Sequence, residues 1–189
     1  MIIIGVLGDI GSGKSYVARQ FGYPVFDADK EVKNIYKYSR VCFTKLNRIL
    51  PKYVVNFPIH KAELANAILK NKENIRKISK IVHPLVRKKM NSFLLENKKR
   101  KVVILDIPLL LENKIKYKDM ILVFVDTKKS DILKRLKKRK GFNKKIFTKL
   151  KEIQLPLDYK KRKSQYIIKN YYTKKFIRKS VKNILKKIL

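Results

Sequence analysis

The sequence predicts an α/β fold in which a parallel five-stranded sheet is flanked by helices. Two observations lead there. Five short apolar runs, rich in β-branched residues, end abruptly at glycine, aspartate or asparagine, and stretches of helical period separate them. A glycine-rich turn joins the first run to the first helical stretch, and strands alternating with helices pair in parallel through right-handed crossovers.

Residues 2–7 (IIIGVL) read as a strand buried on both faces. A helix follows over residues 14–20, with Val17, Ala18 and Phe21 on its apolar face and Gly22 as its stop. Residues 23–27 are a second short strand, with Pro24 at its start. From residue 29 to about 97 the pattern is helical, broken at Pro51, Pro58 and Pro84. Ala62, Leu64, Ala65, Ile68 and Leu69 repeat at helical spacing, as do Ile75, Ile78, Ile81 and Val82. Residues 101–107, 119–125 and 166–168 are the third, fourth and fifth strands. The gap before the third strand exceeds one crossover helix, so residues 29–99 form a helical insert. Residues 128–163 hold 16 Lys or Arg against three acids and contain Gly141-Phe142-Asn143, a turn between helices. The sheet core then comprises residues 1–28, 100–127 and 164–189. At the C-terminus Phe176, Ile177, Val181, Ile184, Leu185 and Ile188 form one apolar stripe. Such a stripe lies on an anionic membrane or packs on a sheet, and packing is preferred because a doubly wound sheet needs helices on both faces.

The 189 residues are 45% hydrophobic and 33% charged, which suits a folded domain with a real core. One cysteine, Cys42, excludes an internal disulfide framework and a cysteine zinc cluster, and two histidines leave little for a histidine metal site. No apolar run reaches the roughly 18 residues of a membrane span. The N-terminus lacks a basic leader and a small-residue cleavage site, so a cytoplasmic location is expected. The net charge of +35 comes from lysines spread along the whole chain. It reads first as compositional drift, because Ile, Asn, Tyr and Phe are plentiful too, then as a preference for small anionic ligands, and last as nucleic-acid binding. No specific nucleic-acid partner is expected.

The strongest motif is Gly8-x4-Gly13-Lys14-Ser15, placed between a buried strand and a helix. Gly11 and Gly13 permit backbone conformations that a Cβ opposes, and the N–H groups of Gly8, Gly11, Ser12, Gly13, Lys14, Ser15 and Tyr16 are candidates to surround phosphate oxygens. Lys14 can reach the β- and γ-phosphates, and the Ser15 hydroxyl can ligate Mg²⁺. The motif implies ATP or GTP binding and leaves the acceptor open. Asp29, just past the second strand, either orients and deprotonates an attacking hydroxyl or caps the helix starting near Lys30. Asp106, ending the third strand, either holds Mg²⁺ through water or simply terminates a buried strand. Glu112 begins a new segment near the same edge. His83-Pro84 reads as a joint in the insert. The basic segment is a candidate lid, and Arg135 and Arg139, four apart, share a helix face from which forked donors can meet developing charge.

In this order the motifs resemble the dephospho-CoA kinase family: residues 4–15, Pro24-Val25-Phe26-Asp27-Ala28-Asp29, Ile81-Val82-His83-Pro84-Leu85-Val86, Asp106-Ile107-Pro108-Leu109-Leu110-Leu111-Glu112, Arg135 and Arg139, Gln154, and Tyr166-Ile167-Ile168 to Asn170. The resemblance implies a P-loop kinase-like core with a helical acceptor-binding insert and a basic lid. It implies transfer of phosphate from ATP, with Mg²⁺, to the ribose 3′-hydroxyl of dephospho-CoA. A monomer or weak oligomer is expected. It assigns Asp29, Lys14 and Arg139 to catalysis. Arg135, Arg139 and Asn170 join the loop as nucleotide contacts. Asp29, Lys61, His83, Pro108, Leu109 and Glu112 face the acceptor, and Ser15 and Asp106 face the metal. Four departures stand out: Asp9 in place of glycine, Tyr16 in place of threonine, His60-Lys61, and Ser164-Gln165. A carboxylate at Asp9 repels a triphosphate unless it turns away or is paired. Two other functions share the loop, namely another small-molecule or nucleoside monophosphate kinase and a basic nucleic-acid-binding ATPase.

Overall fold

The computed structural model describes residues 1–138 and 142–189. In chain order the described elements are β1 (Ile2–Gly8), α1 (Lys14–Gln20), β2 (Val25–Asp27), α2 (Ala28–Tyr38), α3 (Arg40–Ile49), α4 (Lys61–Lys70), α5 (Glu73–Glu96), β3 (Val102–Asp106), β4 (Ile121–Asp126), α6 (Lys129–Lys137), α7 (Lys144–Glu152), α8 (Leu157–Arg162), β5 (Tyr166–Lys169) and α9 (Lys174–Ile188). The chain divides into two compact units. One comprises Met1–Asp27, Leu94–Phe142 and Ile153–Leu189; the other comprises Ala28–Phe93 and Asn143–Glu152.

The first unit holds a parallel sheet in the order β2-β3-β1-β4-β5. Strands β1, β3 and β4 read as unbroken apolar runs because both faces are covered, whereas the edge strand β5 leaves Ile167 exposed. Ile4, Val6, Ile104, Val123 and Ile168 of the strands meet Val17, Phe21, Ile177, Val181 and Ile184 of α1 and α9 in one buried cluster. Each large aliphatic side chain buried there stabilises the fold by roughly 1.5–3 kcal/mol. The C-terminal stripe therefore packs on the sheet, but it is narrower than its sequence pattern: Phe176 is exposed and stacks edge-on against Tyr171. Gln165 stands just before β5 and lengthens its pairing, since its N–H donates to Leu122 O at 3.0 Å and its Oε1 accepts from Leu122 N at 2.7 Å.

The second unit is helical. Ile35, Cys42, Leu46, Val54, Leu64, Ile78 and Val82 form its core. Lys149 of α7 donates to Ile68 O and Leu69 O, at 2.9 and 3.0 Å, and so caps the carbonyl end of α4 with a cation. Thus α7, which lies in the basic segment, belongs to this unit, whereas α6 and α8 belong to the first. Pro84 does not end a helix. It lies inside the 24-residue α5. Proline removes a backbone donor at that turn, yet Ile78 and Val82 before it and Met90 and Leu94 after it are all buried. Burial on both sides outweighs the local penalty. Among the described residues no helix is long and apolar enough to cross a membrane.

Candidate active site

From β1 the chain moves out toward β2, and from β3 it returns across β1 to β4. The carboxyl ends of β1 and β3 are therefore neighbours whose connections leave in opposite directions, and such a switch point is where open parallel sheets bind ligands. The loop after β1 opens there. Asp106 ends β3 beside it, buried, and is in register with Asp27 at the end of β2.

The loop backbone is held on its outer side. Ser12 O accepts from Asn170 Nδ2 at 2.7 Å and from Thr127 Oγ1 at 3.0 Å. Gly11 O accepts from the Tyr172 hydroxyl at 3.2 Å. Gly13, with φ of 89°, leads into α1 in the left-handed region; a Cβ there would come within 2.5 Å of the Asn170 amide nitrogen. Glycine is required on both counts. Lys14 is buried, and its ammonium donates to Gly8 O at 3.2 Å and Asp9 O at 2.8 Å, so its charge lies over the loop. The Ser12 hydroxyl is buried with no hydrogen-bond partner among the described residues. Asp9 turns its carboxylate onto a backbone N–H of its own loop, that of Ile10, at 2.8 Å. An acceptor satisfied in this way offsets part of the repulsion expected from a carboxylate beside phosphates.

Several residues expected to touch nucleotide are engaged by the protein. The Tyr16 N–H donates to Gly13 O at 3.0 Å, and its ring packs against the sheet core. Asn170 is buried and uses both ends of its amide: Nδ2 on the loop, and Oδ1 as acceptor for Tyr172 N at 2.8 Å. Arg135, on α6, places its guanidinium carbon over the Tyr172 ring, 4.1 Å from the centroid. Burial pushes the Tyr172 phenol above its ordinary value of 10, and Asp131 adds to this while Arg135 and a hydrogen bond with Thr127 oppose it. The phenol is thus a hydroxyl donor at neutral pH. Arg139 and Gly141 lie outside the described residues.

On the acceptor side, Asp29 is the second residue of α2, which begins at Ala28, so it does not cap a helix starting near Lys30. It is exposed in the first turn, where the helix dipole favours a negative charge. Lys61 is exposed at the start of α4, whose first turn is closed by a bond from His60 N to Glu63 Oε2 at 3.4 Å. His83 is half-buried on α5; with Arg76, Ser79, Lys80, Pro84 and Arg87 it lines a cavity of about 490 Å³. Burial first, and the Arg87 cation second, hold its imidazole below the usual 6.5. Pro108 and Leu109 lie in the turn after β3, partly buried. Glu112 is bound inside its own unit: Oε1 pairs with the buried Lys160 ammonium at 2.6 Å and accepts from Leu155 N at 2.9 Å. Cys42 is no nucleophile, since it is buried and its thiol is pushed up to about 11.

Thr127, Tyr172 and Lys160 are the structural participants that sequence reasoning missed. Thr127 stands one residue past β4, at the same sheet edge as Asp106, and that position was the available signal.

A family model described as dephospho-CoA kinase matches residues 2–175. The chain belongs to the dephospho-CoA kinase family. It is 33% identical, over 189 residues, to the dephospho-CoA kinase of Wolbachia pipientis wMel, covering 97% of this chain and 96% of that protein. A crystal structure of a Thermus thermophilus protein superposes with a TM-score of 0.77 at 25% identity, covering 100% of this chain and 98% of that one. The dephospho-CoA kinase from Campylobacter jejuni shares the fold, with a TM-score of 0.63 at 21% identity over 98% of this chain and 96% of that one. The five-stranded reading and the kinase activity expected from the motifs stand with these matches.

Proposed function

We propose that this dephospho-CoA kinase family member transfers the γ-phosphoryl group of ATP to the ribose 3′-hydroxyl of dephospho-CoA with the following division of labour. The Gly13 and Lys14 amides and the Lys14 ammonium hold the β- and γ-phosphates. Asp29 accepts the proton of the 3′-hydroxyl as that oxygen forms its bond to γ-phosphorus; the bond from γ-phosphorus to the bridging oxygen breaks, and ADP leaves with the electron pair. Arg135 covers the nucleotide side of the loop. Residues on α5, with Lys61, face the anionic acceptor: Arg76, Lys80 and Arg87 supply cations along one lined cavity.

The observation that carries this reading is the meeting, at one switch point, of an amide-lined loop with the acids that end β2 and β3. The family match supplies the acceptor's identity. Phosphoryl transfer asks for positioning and charge neutralisation more than for covalent chemistry, which suits a loop with buried donors and a buried lysine. The residues also suit Mg²⁺. Among the described residues no group of three or more metal-binding side chains exists, but this ion is usually held by one or two carboxylates plus substrate phosphates and water. Asp106 would supply the carboxylate and Ser15 a hydroxyl, and the ion they would hold would neutralise phosphate charge. The unpartnered Ser12 hydroxyl is a further donor within the same loop.

The test is ADP release from ATP and Mg²⁺ with dephospho-CoA, compared with shikimate, nucleoside monophosphates and other hydroxyl acceptors, with the product's phosphate position read by NMR. Coenzyme A as the preferred product supports the reading. Equal turnover of another acceptor, or phosphate at a different hydroxyl, overturns it.

A further inference from the structure

The phosphate loop is shaped from outside by a residue that no motif contains. We infer that Thr127 is a positioning residue for nucleotide binding: together with Asn170 it fixes the Ser12–Gly13 peptide so that the Gly13 N–H faces the loop interior. This rests on the reading that the loop holds the nucleotide's phosphates.

A trans peptide is planar, with its C=O and N–H on opposite sides. Two donors, Thr127 Oγ1 at 3.0 Å and Asn170 Nδ2 at 2.7 Å, pull the Ser12 carbonyl outward from the ends of β4 and β5. The N–H across the same peptide, that of Gly13, is therefore turned inward, and among the described residues it donates to no protein acceptor. The neighbouring Gly11–Ser12 peptide behaves differently. Its carbonyl is held by Tyr172, but its N–H is already used by Asp9 O at 3.1 Å. Of these two peptides only Ser12–Gly13 offers a donor to a ligand, and it is the one that receives two side-chain bonds. Donors fixed before the ligand arrives need no reorganisation when charge develops on it.

Asn170 also accepts from Tyr172 N, so replacing it disturbs two features at once. Thr127 also hydrogen-bonds the Tyr172 hydroxyl, so Tyr172→Phe is measured beside its variants. A weakening in Tyr172→Phe equal to that in Thr127→Val assigns the effect to that second bond and overturns the inference. Thr127→Val keeps the shape and removes the hydroxyl, whereas Thr127→Ser keeps the hydroxyl. The experiment measures binding of a non-hydrolysable ATP analogue with Mg²⁺ by calorimetry, together with KM for both substrates and the thermal midpoint of each variant. The expected result is a roughly five-fold weaker analogue Kd for Thr127→Val, with an unchanged KM for dephospho-CoA, and recovery in Thr127→Ser. Analogue binding equal to wild type in Thr127→Val overturns the inference. So does equal weakening in Thr127→Ser and Thr127→Val, which would mark the methyl or the fold rather than the hydroxyl. If the wild-type protein itself binds no analogue, the reading of the loop fails instead, and that outcome is separate from the others.

Discussion

Around the phosphate loop, side chains far apart in sequence lock the backbone: the Ser12 and Gly11 carbonyls are held by Thr127, Asn170 and Tyr172, and the Lys14 ammonium lies against the loop. At the start of the helical unit the arrangement is the reverse, for Asp29 and Lys61 stand exposed in the first turns of α2 and α4. The contrast separates two tasks. A triphosphate presents fixed charges that a pre-built cradle of donors can match. A general base must instead reach the substrate hydroxyl and take its proton.

The sharpest break of this contrast comes from exchanging the chemistry at each end. Asp29→Asn is expected to lower kcat about 10²–10⁴-fold, the usual worth of a positioned base, with ATP-analogue affinity unchanged by calorimetry. Full turnover in this variant removes Asp29 from the mechanism. Lys14→Ala is expected to lower kcat on the order of 10²–10³-fold and to weaken the analogue as well, because its charge lies over the loop in the ground state. A Lys14→Ala enzyme with intact analogue affinity would show that the loop amides hold the nucleotide alone.

Next in size is a change that tests rigidity in the first unit. Lys160→Met leaves the Glu112 carboxylate buried without its cation, and breaking such a pair costs about 3–5 kcal/mol. The expected readout is a thermal midpoint lowered by roughly 10 °C. Adding Glu112→Leu should restore most of it, since an apolar pair of similar volume needs no partner. No drop in the single variant would show that the Lys160–Glu112 pair does not stabilise the fold.

The smallest effect concerns the helical unit. The His83 imidazole is held below its ordinary value by burial and by Arg87, so the unfolded chain binds that proton more readily. Its stabilising effect is therefore full above a pH of about 6.5 and is lost as pH falls below it. Denaturation midpoints measured from about pH 7 to pH 5 should fall less steeply in His83→Gln than in the wild type. Parallel slopes would mean that His83 is solvated like a surface residue.

What could be read without coordinates was whatever depends on near neighbours. Buried strands declare themselves by unbroken apolar runs, and the span from Lys14 to Gln20 carries its helical period and a glycine at each end. The phosphate loop is legible because its glycines, lysine and serine sit within eight residues and answer to local backbone geometry. The insert was legible as helical, but Pro84 was not legible as an interior residue of α5. Its penalty is local, while the burial that outweighs it, such as that of Val82 in the helical core, comes from residues distant in sequence.

Which groups hold the loop was decided only by tertiary structure. The bonds from Thr127, Asn170 and Tyr172 to the loop span 115, 158 and 161 residues of chain. Such contacts exist because β1 pairs with β4 and β4 with β5, and no periodicity encodes that order of strands. The same holds for Glu112 and Lys160, two charges that look like surface residues in the sequence and are buried against each other in the fold. Local pattern selects elements through short-range sterics and solvent; the sheet order alone brings distant polar groups within hydrogen-bond reach.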